Sequence, residues 1–369
     1  MASPNTFGEY VRALRLSKAI GQRELARRLK ISPSYLNDIE GNKRGAPRGE
    51  LVRSILEILE ADAELLFDLA GQSRDDIAQD VAEMVQRSPE TVALVRTLHE
   101  FEPNEKTIRE IRENIVASNT SAIIIAAGMG SRMEALTNNK PKCMLEFGDK
   151  TLLERQLEAY RSCGITDISV IRGYQKEKIN YAGLKYYENT DYENNNILNS
   201  LIYAEEAICG HVICAYSDIL FDSSVVQRAL DSPYDISVVV DIDWRGYYDG
   251  RRDHPIEEAE NIIFDADNKA ISAGKIMADK NDVHGEFIGM IKFSPRGAEI
   301  FKRHFHRSKK LYQGKPFQRA KLFEKAYLTD MIQDMTDMGV PIHCVIIERG
   351  WKEIDTIEDY EKALRDFDD

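Results

Sequence analysis

The residues best suited to chemistry begin at Ser121, where an apolar run leads into the loop AAGMGSR at residues 126–132. Gly128 and Gly130 allow close approach of the backbone and unusual dihedral angles, so consecutive N–H groups can face phosphate oxygens. Arg132 adds positive charge, and so does Lys142 in a Pro-Lys pair ten residues later. This spacing predicts a loop that holds a nucleoside triphosphate.

Three other interpretations of the glycine loop compete with this one. A dinucleotide-binding loop follows G-x-G-x-x-G, but Met133 stands at the position of the third glycine. A Walker-type phosphate loop ends in Gly-Lys-Ser/Thr, which is absent here. An ordinary turn after a strand also uses glycine, but the basic residues close by favour phosphate binding.

Two aspartates follow strand-like runs much further along the chain. Asp218 follows HVICAYS, and Asp355 follows Trp351-Lys-Glu-Ile. Mg²⁺ takes oxygen ligands, commonly one or two carboxylates together with substrate phosphates, so the pair predicts a magnesium site beside the loop. Taken singly, Asp355 could instead be a helix N-cap and Asp218 a turn residue.

The elements that must position these residues alternate between strands and helices. Strand-like runs occur at 121–126, 167–172, 185–188, 211–216, 235–241, 287–293 and 342–347. Helical runs occur at about 151–163, 196–208, 223–231, 296–306, 319–338 and 356–366. This alternation predicts an α/β fold of three α/β/α layers, Rossmann-like, with a mixed, mostly parallel sheet that binds ligands at the carboxyl ends of its strands.

The first third of the chain has a purely helical pattern. Breaks at Gly21, at Ser32-Pro33 and at Gly41 separate short helices, with Ser32 as an N-cap and Pro33 at the first helical position. Further amphipathic turns continue to about Asn119. We therefore expect an all-α domain at the N-terminus.

Charge is distributed unevenly in a chain whose net charge is −13. Residues 1–48 hold ten Lys/Arg against four Asp/Glu, whereas residues 49–118 hold seven against sixteen. A basic head on an acidic protein predicts a local polyanion partner. We expect three parts: a head domain at 1–71, an acidic helical connector at 72–119 suited to dimerisation, and a catalytic domain at 120–369.

Length and composition fit this division. With 369 residues the chain exceeds what one core usually covers. The five cysteines form no C-x-x-C pair, which predicts reduced, structural thiols rather than a zinc site. Neither a membrane span nor the apolar core of a secretory signal is present, so we expect a cytoplasmic protein.

The segment GQRELARRLKISPSYLNDIEGNKR, residues 21–44, resembles the helix-turn-helix of phage-repressor-like transcriptional regulators. The resemblance covers roughly residues 6–70. It implies that the second helix of the motif lies in the major groove of DNA. The residues that it places near bases or phosphates are Gln22, Arg23, Ser32, Ser34, Tyr35, Asn37, Lys43 and Arg44. Such domains usually bind two half-sites, which makes a homodimer plausible.

Seven segments of the remaining two thirds resemble the nucleotidyltransferase superfamily, and within it the small cytidylyltransferases that act on phosphocholine and on phosphonates such as 2-aminoethylphosphonate. The segments are AAGMGSR at 126–132, Pro141-Lys142, NNNILNSL at 194–201, Ser217-Asp218, SAGK at 272–275, GEFIG at 285–289 and WKEID at 351–355.

This resemblance implies a reaction in which an acceptor oxygen attacks the α-phosphorus of CTP and pyrophosphate leaves. Lys142, Arg132, Asp218, Asp355 and Lys275 would be catalytic, with Mg²⁺ on Asp218 and Asp355 and the acceptor's anionic group on Lys275. The implied nucleotide-binding residues are Ala126, Ala127, Gly128, Met129, Gly130, Ser131, Arg132, Lys142, Asn196, Ser200 and Ser217.

The acceptor is less clearly indicated. Aromatic residues such as Trp244 and Trp351 could surround a quaternary ammonium, whereas the mixed charges of DWRGYYDGRRDHPIEEAE favour an anionic or zwitterionic acceptor. The resemblance leans towards a phosphonate, with Glu286 contacting an amine. The acceptor-binding candidates are Asn195, Trp244, Arg251, Glu286, Trp351 and Glu353. Helix capping is the plain alternative for Asn195, Asn196 and Ser200.

Two further functions compete with a cytidylyltransferase. One is a sugar-1-phosphate nucleotidyltransferase, which shares the first loop. The other is a transcriptional regulator whose nucleotidyltransferase domain only senses a ligand, although retention of Lys142, Asp218 and Asp355 argues for catalysis.

Overall fold

The computed structural model describes residues 6–74, 76–275 and 283–368, except for the side chains of Glu64, Ser131, Glu134, Ala135 and residues 366–368. The chain divides into two compact units, Met1–Glu105 and Lys106–Asp369. No helix within the described ranges combines the length and apolar character that a membrane crossing requires.

The described part of the first unit is helical. Its helices are α1 (Phe7–Ser17), α2 (Gln22–Arg28), α3 (Pro33–Glu40), α4 (Glu50–Leu59), α5 (Ala63–Gln72), α6 (Gln79–Gln86) and α7 (Pro89–Phe101). The predicted breaks are confirmed: Gly21 precedes α2, Ser32 caps α3 by accepting from Tyr35 N at 3.1 Å, and Gly41 follows α3. Helices α1 to α5 enclose one apolar core, which includes Phe7, Val11, Leu25, Leu36, Ile39, Ile55, Leu59 and Leu66.

A buried ion pair ties α1 to α3. Arg15 donates from Nε to Glu40 Oε1 at 2.6 Å and from Nη2 to Glu40 Oε2 at 2.8 Å. Gln22 also donates to Glu40 Oε2 at 3.0 Å. Because a bidentate guanidinium–carboxylate pair has a fixed geometry, it fixes the position of α3 on the first helix.

Helix α8 (Glu105–Ser118) begins where the two units meet in sequence. The strands of the second unit are β1 (Thr120–Ala126), β2 (Glu146–Phe147), β3 (Lys150–Thr151), β4 (Ile168–Arg172), β5 (Lys185–Glu188), β6 (His211–Tyr216), β7 (Ile219–Phe221), β8 (Ile236–Asp241), β9 (Asn261–Phe264), β10 (Ala270–Gly274), β11 (Gly285–Phe293), β12 (His343–Ile347) and β13 (Trp351–Glu353). The remaining α-helices are α9 (Leu152–Ser162), α10 (Ile197–Leu201), α11 (Ser223–Asp231), α12 (Pro295–Tyr312), α13 (Leu328–Asp337) and α14 (Ile357–Asp368).

One mixed sheet organises this unit. Its main run is β5-β4-β1-β6-β11-β8-β12, and β9 pairs with β11 and β10. Strands β5, β4, β1 and β6 are mutually parallel, β12 is parallel to β8, and β11 is antiparallel to β6, β8 and β9. The prediction of a mixed, mostly parallel sheet is therefore confirmed. The short strands β2, β3, β7, β9, β10 and β13 were not predicted.

Helices cover both faces of the sheet, as the three-layer prediction requires. Alternate residues of β1 enter different cores: Ile123 packs in the core that includes α12 and α13, and Ile124 packs in the core that includes α9 and α11. Since β1 and β6 are parallel with Ile125 opposite Tyr216, the loop after β1 and the Ser217-Asp218 pair meet at the same edge.

Candidate active site

The glycine loop leaves the carboxyl end of β1 and turns at Gly130. Its φ of +63° lies in the left-handed region, and a Cβ there would lie 3.1 Å from the Cβ of Lys142. Any larger residue would therefore be strained and crowded. Thr137 fixes the turn by donating from its hydroxyl to Gly130 O at 2.9 Å.

A cavity of about 240 Å³ opens beside this loop. The predicted residues that line it are Ala126, Gly128, Gly130, Arg132, Lys142, Asn196, Ser217, Asp218 and Asp355. Ala127 is buried and Met129 is 42% exposed, and neither is part of the lining. The side chain of Ser131 lies outside the described part of the chain.

Lys142 is a buried lysine on the wall of this cavity. It begins a short 3₁₀ helix, Lys142–Met144. Its Nζ atom lies 3.0 Å from Asp218 Oδ2 and 2.6 Å from Asp355 Oδ1. Burial by itself lowers the pKa of this ammonium group, but the two carboxylates outweigh burial and raise its pKa above the usual lysine value. Lys142 is therefore a fixed positive charge.

The two carboxylates come from strand ends that are distant in the chain. Asp218 lies between β6 and β7, and Asp355 follows β13, which pairs antiparallel with β7. Ile354 N donates to Asp218 O at 2.8 Å, which holds the two segments together. Thr356 caps α14 by accepting from Asp359 N at 3.2 Å, so the interpretation of Asp355 as the N-cap is wrong.

Asp355 is held between two cations. Besides Lys142, it contacts Arg132, whose Nη2 also lies 3.7 Å from Glu258 Oε2. Burial alone raises the pKa of Asp355, but Lys142 and Arg132 hold it well below its usual range. Two carboxylate oxygens within 3.0 Å of one ammonium nitrogen form a donor set that fits a divalent cation.

A nitrogen donor adjoins the same carboxylate. His254 Nδ1 lies 3.4 Å from Asp355 Oδ2 and 3.5 Å from Glu353 Oε2. Ligand atoms of these three residues lie within 4.8 Å of one another, so they too could contact a cation. Burial lowers the pKa of His254 to about 4, and the ring is neutral at ordinary pH.

A second cavity of about 200 Å³ adjoins the first, and Arg132, Asn196, Asp218 and Asp355 line both. The other predicted residues in its lining are Lys275, Glu286, Trp351 and Glu353. Lys275 contacts Glu258, and its Nζ lies 4.9 Å from the centre of the Tyr327 ring. Two adjoining cavities with Asp218 and Asp355 at their border can hold two reactants side by side.

Two buried carboxyl groups line the second cavity. Glu286 accepts from the Tyr248 hydroxyl at Oε1, and its buried Oε2 makes no hydrogen bond within the described structure. Burial raises the pKa of Glu286 to about 8. Burial likewise raises the pKa of Glu260 to about 7, although Thr329 donates to it at 2.9 Å. A cation or an N–H donor in this cavity would stabilise both ionised groups.

The predicted aromatic residues do not form an open cage. Trp244 is fully buried and packs with Tyr247 and Tyr248. The Arg251 guanidinium lies 4.6 Å from the Tyr247 ring centre and 4.7 Å from that of Tyr248. Arg251 itself is buried and donates twice to Asp359, at 2.8 and 2.9 Å. Trp244 and Arg251 are therefore not part of the described lining of either cavity. The guanidinium of Arg251 already occupies a cation–π position on the rings of Tyr247 and Tyr248.

Asn195 and Ser200 lie in an internal hydrogen-bond network rather than in the described lining of either cavity. Asn189 Nδ2 donates to Ser200 Oγ and to Asn195 Oδ1, both at 2.8 Å. Asn196 differs, because it lines both cavities as well as capping α10.

The predicted DNA-contacting residues share one region of the first unit, from α2 through α3 to the segment after it. Each is exposed or half-buried: Gln22, Arg23, Ser32, Ser34, Tyr35, Asn37, Lys43 and Arg44. The Arg44 guanidinium lies 5.1 Å from the Tyr35 ring centre. This region thus presents polar, hydrogen-bonding side chains and net positive charge.

Sequence reasoning did not single out several residues at the site. Tyr216 ends β6 directly before Ser217-Asp218 and lines both cavities, so its strand-end position was an available signal. Tyr327 lines the second cavity from the segment before α13, where only tertiary packing brings it close. Asp359 orients Arg251 by accepting two hydrogen bonds from its guanidinium group. Nothing in the sequence distinguishes Asp359 from the other acidic residues.

Two family models match separate parts of the chain. Residues 122–275 match the family described as MobA-like NTP transferase domain, and residues 6–69 match a family described as helix-turn-helix domain.

Similar proteins include several cytidylyltransferases. The CTP:phosphoglutamine cytidylyltransferase of Campylobacter jejuni is 28% identical over 257 residues, which cover 66% of this chain and 99% of that protein. The choline-phosphate cytidylyltransferase of Streptococcus pneumoniae is 35% identical over 31% of this chain, and the 2-aminoethylphosphonate cytidylyltransferase of Lancefieldella rimae is 36% identical over 30%. The chain spans about half the length of these last two relatives.

Solved structures show the same fold. A CTP:phosphocholine cytidylyltransferase from Streptococcus pneumoniae superposes with a TM-score of 0.50 at 22% identity and covers 67% of this chain and 98% of its own. An inositol-1-phosphate CTP transferase from T. maritima gives 0.52 at 19% identity, covering 68% and 97%. Residues 6–69 are therefore similar to helix-turn-helix domains and residues 122–275 to MobA-like NTP transferase domains, and cytidylyltransferases are among the proteins that the chain resembles.

Proposed function

We propose that the second unit transfers CMP from CTP to a small acceptor that carries a phosphonate or phosphate group. An acceptor oxygen forms a bond to the α-phosphorus, the bond from that phosphorus to its bridging oxygen breaks, and pyrophosphate leaves with the bonding electrons. The observation that carries the proposal is the position of Lys142, Asp218 and Asp355 where two adjoining cavities meet.

The first cavity suits the nucleotide triphosphate. Gly128 and Gly130 offer backbone amides, and Arg132 and Lys142 offer positive charge to phosphate oxygens. A fixed cation is most effective where charge grows during the reaction, and burial strengthens its field. We assign Lys142 to the α-phosphate and Arg132 to the outgoing pyrophosphate. The preference for cytosine is proposed from the cytidylyltransferases among the similar proteins.

Asp218 and Asp355 would hold Mg²⁺, with Glu353 and His254 close enough to complete the site. When bound, the ion supplies Lewis-acid neutralisation of phosphate oxygens. The chain's own part is to bring two carboxylates from separate strand ends to one point and to keep Asp355 ionised.

The second cavity suits an acceptor with charge of both signs. Lys275 can bind a phosphonate or phosphate, and Glu286 with its unpartnered Oε2 can accept from an N–H group. A quaternary ammonium has no N–H to donate, and the ring faces of Tyr247 and Tyr248 already carry Arg251. We therefore propose an acceptor with a primary ammonium group.

Pyrophosphate release from CTP and Mg²⁺ tests this function with a panel of acceptors. We expect turnover with 2-aminoethylphosphonate or phosphoethanolamine at a kcat/KM about tenfold or more above that for phosphocholine, which corresponds to about 1.4 kcal/mol. In Glu286→Gln that preference should fall, because the amide binds an ammonium group more weakly than a carboxylate does.

Glu257, which is exposed and lines neither described cavity, provides the matched control, and Glu257→Gln should leave turnover with the whole panel unchanged. Release with glucose-1-phosphate alone would favour a sugar-1-phosphate transferase, as would the resemblance to a UTP–glucose-1-phosphate uridylyltransferase of Haloferax volcanii. No release with any acceptor would contradict the proposal and leave a ligand-sensing regulator.

We also propose that the first unit binds duplex DNA through α3. The support is the exposed polar region from α2 to Arg44 and the charge balance of residues 1–48. In a binding selection from a library of random DNA duplexes, the full chain should enrich duplexes that share a sequence motif. Lys43→Ala/Arg44→Ala should weaken binding about tenfold and reduce the slope of log affinity against log salt by about 2. Lys309→Ala/Lys310→Ala, which removes two exposed lysines from α12 of the second unit, is the control, and failure to enrich any duplex would refute DNA binding.

A further inference from the structure

The helices between residues 76 and 118 expose many of their apolar side chains. Helices α6 and α7 bury none of their described residues. Six large apolar side chains on and beside them are between 43% and 73% exposed: Ile77, Val81, Met84, Leu94, Val95 and Phe101. On α7, the 4- and 3-residue spacing of Leu94, Leu98 and Phe101 places them along one side of the helix.

Helix α8 repeats this pattern in the second unit. Ile108, Ile111 and Ile115 are spaced by three and four residues and are 47%, 37% and 54% exposed. Of the described side chains of α8, only Ala117 is buried. The three helices α6, α7 and α8, which we call the connector helices, therefore carry exposed apolar stripes, those of α6 and α7 in the first unit and that of α8 in the second.

Such helices need a covering surface. Isolated helices shorter than about 12–15 residues are marginal in water, and most helical stability in proteins comes from packing an apolar face. The connector helices have 8, 13 and 14 residues. Large exposed apolar patches on a soluble chain mark an interaction site.

The charged residues around the apolar stripes favour a second copy of this chain as the partner. Residues 79–118 hold eight Asp/Glu against five Lys/Arg, an acidic balance that repels nucleic acid and anionic membranes. Both signs occur beside the stripes, as with Arg96 and Glu100 on α7 and Arg112 and Glu113 on α8. A mixed-sign surround is compatible with a second copy of itself, whereas a single-sign surround would repel its copy.

We propose that the connector helices pair two copies of this chain. At roughly 100 Å² of exposed surface for each of the six apolar side chains of the first unit, two copies would bury about 1,200 Å², which is the lower end of the size of a specific interface. A helix-turn-helix domain also favours a two-fold partner, because it commonly reads two half-sites. The pairing does not depend on the transferase function.

Sedimentation of the full chain tests the pairing. We expect twice the mass of one chain at micromolar concentration. Leu94→Lys/Phe101→Lys, and separately Ile108→Lys/Ile115→Lys, should raise the dimer dissociation constant about 100-fold or more, with a loss of helical circular dichroism no larger than the connector helices account for. The control is Leu311→Lys, which alters a 46% exposed apolar residue on α12 and should leave the mass unchanged.

Two results would overturn the proposal. One is a wild-type chain that sediments at the mass of a single chain at every concentration; if the lysine variants then also melt earlier, the stripes are covered by the chain's own residues. The other is a dimer that both double variants leave intact, which would place the interface elsewhere.

Discussion

Replacing Lys142 by methionine is expected to lower kcat/KM for CTP about 1,000-fold or more, a loss of about 4 kcal/mol of transition-state stabilisation. Methionine keeps a similar length and fits a site where the lysine side chain is only 9% exposed, so packing should survive. The charge between Asp218 and Asp355 is lost. The measurement is steady-state pyrophosphate release at saturating acceptor and Mg²⁺.

Lys140→Met is the matched control for this change. Lys140 stands two residues earlier and is half-buried, but it lines neither described cavity, and its variant should keep activity within about twofold. Because Lys142→Met leaves two carboxylates facing each other, thermal unfolding must confirm that the variant is folded at the assay temperature. A folded variant within about tenfold of wild type would remove Lys142 from the catalytic set.

Much of this architecture could be predicted because its signals are local. The strand runs at 121–126 and 211–216 are largely apolar segments typical of buried parallel strands, and the loop after β1 carries two glycines and an arginine within seven residues. The antiparallel direction of β11 was not predictable in this way. Its run, GEFIGMIKF, is buried along its whole length like a parallel strand, and its direction shows only in its antiparallel pairing with β6, β8 and β9.

The side of the site facing the acceptor was harder to predict for a physical reason. Trp244 and Arg251 have residue types suited to ligands, but burial and Asp359 assign them to the supporting layer. Glu286 lies in a strand whose every residue is buried. Its candidate role in ligand binding depends on Oε2, which has no hydrogen-bond partner in the described structure, and only the folded geometry shows this. Sequence spacing finds residues that share a loop, whereas contacts across the sheet depend on packing.

Replacing either aspartate by asparagine is the second change with a large expected effect. Asp355→Asn should lower kcat/KM by about 1,000-fold or more, because this carboxylate contacts both Lys142 and Arg132. Asp218→Asn should lower it by about 100-fold or more, since its described cation partner is Lys142 alone. In both variants we expect weaker Mn²⁺ binding by electron paramagnetic resonance, about tenfold or more, with duplex DNA binding unchanged.

Asp253→Asn separates this effect from a general loss of negative charge. Asp253 is an exposed neighbour of His254 and lines neither described cavity, so its variant should keep both turnover and Mn²⁺ affinity. If the Asp218→Asn variant and the Asp355→Asn variant both keep the wild-type affinity for Mn²⁺, the cation binds elsewhere.

The combination of Lys142→Met with Asp218→Asn decides whether these groups act as one unit. If Lys142 and Asp218 worked independently, the losses in kcat/KM would multiply. The 3.0 Å contact between them instead predicts that the double variant loses about as much as Lys142→Met alone, since groups that act together are strongly non-additive. Removing Asp218 after Lys142 also relieves the repulsion between the facing carboxylates, so the double variant should melt at a higher temperature than Lys142→Met. Multiplying losses without that recovery would show that the ammonium and the carboxylate serve separate steps.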